Sequence, residues 1–391
     1  MTNSQSTTKS NKRNSAVTLN NEVLAAVNNV DSVFYGLGIP TALHYTLVKS
    51  GASIMTIGTM GTGKGVIKNL LSPADSFSID LDSVTKTDLA NKLGDIQDMK
   101  VHVSIEELAS LSEYQRGILT DVLAKVISDR NYQSDSSKIN IVNCEMTMYC
   151  GVQPMTFTQM IAQSSAWENL TNDRFIKIML VNGLRKDDIE RFDVNKEWYL
   201  DVHKQFNDLF RIDTKSIDVE PKALTIIHRL LMNQISGNRV LIYAKKILQA
   251  WASMNNATVA TVKLAELFVK LFGFYFMIFD TFTLREDIGA NLKFQGALTT
   301  TFMAVSSNQR FNFTKQDYVS MFRVDESTLR RNISQLAEMQ LIEIYNVPVQ
   351  TPAGKRQAQA YRLGGKVQEY FNYYVKVTTP KKPKKKHATK K

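Results

Sequence analysis

The chain has 391 residues, 43% hydrophobic and 22% charged, with 18 glycines and 8 prolines. That length holds two or three domains with cores of their own, and the composition excludes a fibrous or a wholly disordered chain. The formal charge of +11 belongs to the ends: residues 376–391 carry eight lysines and no acid, and the first twenty add Lys9, Lys12 and Arg13 without an acid, so the body between is close to neutral.

Residues 1–18 read as a disordered basic tail. Helical patterns follow at 19–30 and 42–48, and a strand at 52–57 runs into a glycine-rich turn and an apolar helix at 66–71. Further strands are expected at 76–81, 100–105, 139–142 and 175–181, with helices at 88–93, 112–127 and 157–170. Strands alternating with helices predict a mostly parallel sheet covered on both faces. From residue 221 the pattern is helical, with segments at 223–235, 239–254 and 262–279. The last unit, 311–374, has Thr314 capping a helix to 321 and Asp325 capping a helix over 326–339. Strands at 341–347 and 357–363 then flank a turn containing Pro352 and Gly354. Helix, turn, helix, hairpin is a winged-helix order. The expected fold is an α/β P-loop NTPase domain (19–215) with a helical lid (216–300), followed by a winged helix-turn-helix domain (311–374) and a Lys-rich tail (375–391).

Gly58, Thr59, Met60, Gly61, Thr62, Gly63 and Lys64 satisfy G-x-x-x-x-G-K between a strand and a helix. Such a loop has little side-chain bulk, so its backbone N–H groups converge on phosphates and the helix behind presents its positive end. Lys64 would reach the β- and γ-phosphates of ATP. The next residue, Gly65, stands where a hydroxyl that holds Mg²⁺ is usual. The metal must then be held by another group, Thr62 or an acid. Glu106 and Glu107 end the 100–105 strand; Glu106 is the expected metal ligand and Glu107 the residue that polarises attacking water.

The order of these features resembles the AAA+ ATPase superfamily over about residues 30–280. The resemblance implies a polar residue after the next strand that senses the γ-phosphate, for which Asn143 is the best match and Gln153 the alternative. It implies an arginine finger supplied to a neighbouring subunit, matched by Arg174, and a second arginine in the helical lid, matched by Arg239. It also implies a homo-oligomer, a ring or a filament. An AAA+ domain followed by a winged helix resembles replication initiators, helicase loaders and DNA-remodelling ATPases of mobile elements and viruses.

In a winged helix the second helix of the pair enters the major groove. Here it carries Ser327, Thr328, Arg330, Arg331, Asn332 and Gln335, with Leu329, Ile333 and Leu336 as the apolar stripe. The arginines suit phosphate or guanine and Gln335 suits adenine, while Lys355 and Arg356 lie at the wing tip. The expected partner is DNA, and the expected function is ATP-dependent DNA binding in replication or genome remodelling. An ATP-binding DNA scaffold with little hydrolysis is the alternative, favoured by Gly65.

The Lys-rich tail adds non-specific attraction for polyanions, although alone it suits a solubilising segment equally. Cys144 and Cys150 have neither CxxC spacing nor a histidine cluster, which speaks against structural zinc. The N-terminus lacks the apolar stretch of a secretory signal. The apolar run 269–279 is interrupted by Lys270 and Gly273 and is too short to span a bilayer. The expectation is an intracellular protein of cytoplasm or nucleoid, with no membrane partner; the basic patch from Pro380 is equally compatible with a nucleus.

Overall fold

The computed structural model describes residues 19–34, 36–59, 61–73, 78–80, 87, 92–136, 138–163, 174–180, 194–235, 237–283, 301–302, 305, 314–322, 325–352, 354–365 and 367–369. Met60 and both basic tails lie outside the described residues. In chain order the elements are α1 (Asn21–Val33), α2 (Gly38–Lys49), β1 (Ser53–Ile57), α3 (Lys64–Leu71), β2 (Ser78–Asp80), β3 (Asp95–Gln97), β4 (Lys100–Ile105) and α4 (Glu113–Asp129). They continue with β5 (Tyr132–Ser134), β6 (Ile139–Val142), β7 (Glu145–Val152), α5 (Pro154–Gln163), β8 (Phe175–Met179), α6 (Lys196–Asn207) and β9 (Asp218–Val219). The rest are α7 (Pro221–Leu231), α8 (Arg239–Met254), β10 (Val259–Ala260), α9 (Val262–Thr283), α10 (Lys315–Phe322), α11 (Glu326–Glu338), β11 (Ile342–Thr351) and β12 (Gly354–Leu363).

The central sheet has the order β2-β4-β7-β1-β8, and its pairings are all parallel. Every residue of β1 and β8 is buried, as a parallel strand covered on both faces requires. Alternation divides the side chains between two cores. Ile54, Ile176 and Ile178 join residues of α1, α2, α3, α6, α7 and α8 on one face. Met55, Ile57, Val103, Ile105 and Met148 meet Val122 and Val126 of α4, Phe157 of α5 and Phe274 and Ile278 of α9 on the other.

Local chemistry sets the helix ends. Ser112 and Gln115 form a reciprocal capping box on α4. Pro221 opens α7, where its missing N–H costs nothing, and Pro40 sits within the first turn of α2, where a proline is tolerated. The expected strand at 139–142 forms, but as β6 of a separate sheet ordered β3-β6-β5. The sheet position between β1 and β4 belongs to β7, which periodicity does not announce.

A buried charge fastens the helical layer to the edge of the sheet. Lys177 in β8 is fully buried. Its ammonium donates to the Gln234 carbonyl and lies 5.6 Å from the Phe279 ring centre. The Gln234 amide donates in turn to Asp280 at 3.0 Å, whose carboxyl is raised above its usual range by burial, partly opposed by Asn233, Gln234 and Lys177.

At the C-terminal end α10 and α11 pack on the β11–β12 hairpin, which pairs antiparallel from Ile342↔Leu363 to Thr351↔Gly354. Asp325 caps α11 by accepting from the Thr328 N–H at 3.0 Å. Leu329, Ile333 and Leu336 are its buried stripe, and Thr314 bridges to Ala360 beside the hairpin.

Candidate functional site

Ligand sites in open parallel sheets lie beyond the carboxyl ends of the strands. Here the carboxyl ends of β1, β4 and β7 bring together the glycine-rich loop from Gly58, the Glu106–Glu107 pair and Gln153. Gly61 and Gly63 adopt φ of 76° and 95°, a conformation that only glycine takes without strain. A β-carbon on Gly63 would lie 2.5 Å from Leu37 Cδ1, so the close approach of α2's entry to the loop also requires glycine. The Thr62 hydroxyl is buried, donates to the Thr59 carbonyl at 2.8 Å and packs against Gly58. It braces the loop from inside.

Lys64 is the first residue of α3 and is buried. Its ammonium donates to the carbonyls of Gly58 and, at 3.2 Å, Thr59, and lies 3.3 Å from a Glu107 oxygen. Burial lowers its pKa, opposed by the charges of Glu107 and Glu106. The other Glu107 oxygen accepts the Gln153 N–H at 3.2 Å. Glu107 therefore joins the loop lysine to the end of β7. Gly151 permits this closeness, since a β-carbon there would sit 2.1 Å from the Glu106 carbonyl and 3.4 Å from Lys64 Cδ. One turn further along α3, Lys68 stands 3.7 Å from Glu106.

A buried polar cluster lies beneath the loop and has no signature in the sequence. Pro40's carbonyl is 2.6 Å from His44 Nδ1, which fixes the proton on that nitrogen, and Nε2 then accepts from the Thr56 hydroxyl at 2.8 Å. The Tyr149 ring lies 5.9 Å from the His44 ring, and the Tyr149 hydroxyl donates to the Lys64 carbonyl at 2.9 Å. Burial holds the Tyr149 phenol far above its ordinary range, so it remains a neutral donor under the first turn of α3.

Two expected site residues are not brought to the loop. Asn143 precedes β7 and donates to Asp98 at 2.6 Å, while its backbone N–H donates to Asn131. The eight residues of β7, roughly 25 Å of extended chain, separate it from the site. Its positive φ of 50° suits a turn residue. The position beside Glu107 belongs to Gln153. Arg174 opens β8 at the end remote from the loop, and its Nε donates to Ser128 at 2.6 Å and to the Ala124 carbonyl at 3.2 Å. Arg239, the first residue of α8, lies with Arg174 in the surroundings of Tyr243, whose pKa burial raises and these two arginines lower.

On α11 the residues Ser327, Arg330 and Arg331 are exposed, Thr328 and Gln335 are half-buried, and Lys355 and Arg356 are exposed at the hairpin tip. Arg330 pairs with Glu326 at 3.4 Å. Asn332 departs from expectation: it is fully buried and donates to Thr301 at 3.0 Å, so it braces the helix from the core side.

For a divalent cation, the loop offers carboxylate oxygens, a donor type that suits Mg²⁺ held by one or two carboxylates together with phosphates. No group of three or more His, Cys, Asp or Glu side chains able to hold an ion by themselves occurs among the described residues. No described helix is long and apolar enough to cross a membrane.

No family model matches the chain. No curated protein matches it either. A solved structure, a full-length MCM homolog from Methanopyrus kandleri, is similar at 12% identity and a TM-score of 0.40 over 66% of this chain. The match spans 61% of that homolog's length, and the chemistry of the loop stands on its own geometry.

Proposed function

We propose that the chain binds ATP through the P-loop formed by Gly58, Thr59, Met60, Gly61, Thr62, Gly63, Lys64 and Gly65, and hydrolyses it under the control of DNA. The observation that carries this reading is the placement of Glu107 between Lys64 and the Gln153 N–H, at the carboxyl ends of three adjacent parallel strands. Loop N–H groups and the α3 terminus receive the phosphates, and Lys64 turns from its carbonyl partners to the β- and γ-oxygens. Glu107 orients the attacking water, and Gln153 marks the γ-phosphate position in place of Asn143. Mg²⁺, when bound with the nucleotide, would neutralise charge on the phosphate oxygens; Glu106 is the group that would hold it.

Arg174, with Arg239 near it, serves a neighbouring subunit's nucleotide, since its own loop lies at the other end of the sheet. The unit of α10, α11 and the hairpin acts as a winged helix on DNA. Ser327, Thr328, Arg330, Arg331 and Gln335 face the groove, and Lys355 and Arg356 contact the backbone. The second reading, an ATP-binding DNA scaffold with little turnover, is favoured by Gly65. Phosphate release measured with and without DNA, across protein concentration, separates the two. DNA-stimulated release that rises more than linearly with protein supports the motor. Nucleotide binding with no release at any concentration supports the scaffold, and no binding of ATP overturns both.

A further inference from the structure

Gly65 is the second residue of α3, where a glycine weakens a helix relative to alanine. Backbone freedom does not explain it, because its φ is not in the positive range that Gly61 and Gly63 need. What marks the position is a neighbouring side-chain tip. A β-carbon at position 65 would lie 2.6 Å from Glu106 Oε1 and 3.2 Å from its carboxyl carbon. The Glu106 carboxylate therefore occupies the room that a side chain at 65 would fill. It reaches there because a glutamate carries its carboxylate one methylene further than an aspartate.

Resting on the nucleotide-binding reading above, we propose that Gly65 and Glu106 are a size-matched pair: Glu106 Oε1 takes the place of a hydroxyl at position 65 as the protein's oxygen ligand to the Mg²⁺ that accompanies the nucleotide. The missing hydroxyl is then not a defect of the loop, because its oxygen comes from the neighbouring strand. Lys68, 3.7 Å from Glu106, holds the carboxylate in place and neutralises it when no cation is bound. Glu106 is more than half exposed, so an ion arriving with nucleotide has open access to it.

The pairing predicts mutual rescue. Gly65→Ser alone inserts a side chain against Glu106, and Glu106→Asp alone withdraws the oxygen without replacing it. The double variant supplies a hydroxyl at 65 and makes room for it. The probes are a non-hydrolysable ATP analogue, titrated calorimetrically with and without Mg²⁺, and Mn²⁺ followed by electron paramagnetic resonance in its presence. Each single variant is expected to lose roughly tenfold of the Mg²⁺-dependent gain in affinity, about 1.4 kcal/mol, and the double variant to recover most of it. Thermal melting of all four proteins reports folding separately, and Glu106→Asp, at an exposed side chain, is the variant that tests the ligand role if Gly65→Ser melts early. Losses that simply add in the double variant, or a Mg²⁺ gain unchanged in Glu106→Asp, overturn the pairing while leaving nucleotide binding intact. A parent protein that binds no analogue in any condition overturns the nucleotide reading itself.

Discussion

Acidification should destabilise this protein between pH 6.5 and 4, with His44 as a principal cause. Burial lowers the His44 pKa from 6.5 to about 4, opposed by its bond to the Pro40 carbonyl. In the folded chain its two ring nitrogens are satisfied only in the neutral form, Nδ1 as donor to Pro40 and Nε2 as acceptor from Thr56. Between the two pKa values the unfolded chain holds a proton that the folded chain refuses. Stability therefore rises with pH across that window and falls as pH drops through it, the loss being complete below about 4. A gap of about 2.5 pH units at ~1.36 kcal/mol each sets a ceiling of ~3 kcal/mol for this one side chain. His102, also lowered to about 4 by burial and by the charge of His203, adds a parallel contribution. The assay is urea unfolding at half-unit pH steps, followed by the fluorescence of the fully buried Trp251. His44→Gln cannot titrate, so its stability should fall less than the parent's by up to ~3 kcal/mol over the window. Equal pH slopes for parent and variant would refute the reasoning.

Three further outcomes are expected. Glu107→Gln should bind the ATP analogue within a few-fold of the parent and lower turnover by roughly a hundredfold or more, as loss of a water-activating group does; unchanged turnover removes Glu107 from the chemistry. Gly63→Ala combines a φ of 95° with a β-carbon 2.5 Å from Leu37. It should destabilise by about 1–3 kcal/mol in the same urea assay, and a stability equal to the parent's counts against the strain argument. Replacing Arg330 and Arg331 together by alanine should weaken DNA binding and reduce the slope of log affinity against log salt by about 2. An unchanged slope points to protein contacts for α11 instead.

The sequence exposes elements whose periodicity or caps are strong and hides those that depend on tertiary burial. The strand read at 100–105 matches β4, and the helix read at 239–254 matches α8. Asp325 caps α11 as its side chain dictates. In contrast β7 reads Glu-Met-Thr-Met-Tyr-Cys-Gly-Val, a run short of β-branched residues and interrupted by a glycine. Its strand character comes from being sandwiched between β1 and β4. With β7 hidden, the nearest strand that sequence alone shows is β6, so the residue after a strand reads as Asn143 rather than Gln153. Helix α6 was equally hidden, its charged face leaving only Val202 and Phe206 buried. The loop itself was legible because spacing alone defines it. The His44–Thr56–Tyr149 cluster was not, since its members come from three separated elements and each reads as an ordinary core residue.

The floor of the loop is built by residues that precede its own strand. Leu37 fills the space under Gly63, and His44 anchors Thr56 at the end of β1, beside the Tyr149 ring that supports the first turn of α3. The smallest autonomous fragment able to present Lys64 correctly therefore cannot begin at β1, although the whole glycine-rich loop lies after it. Dissection of the chain into working parts has to keep α1 and α2 with the sheet, and a homolog that lost that helical pair would need a new foundation for the same loop.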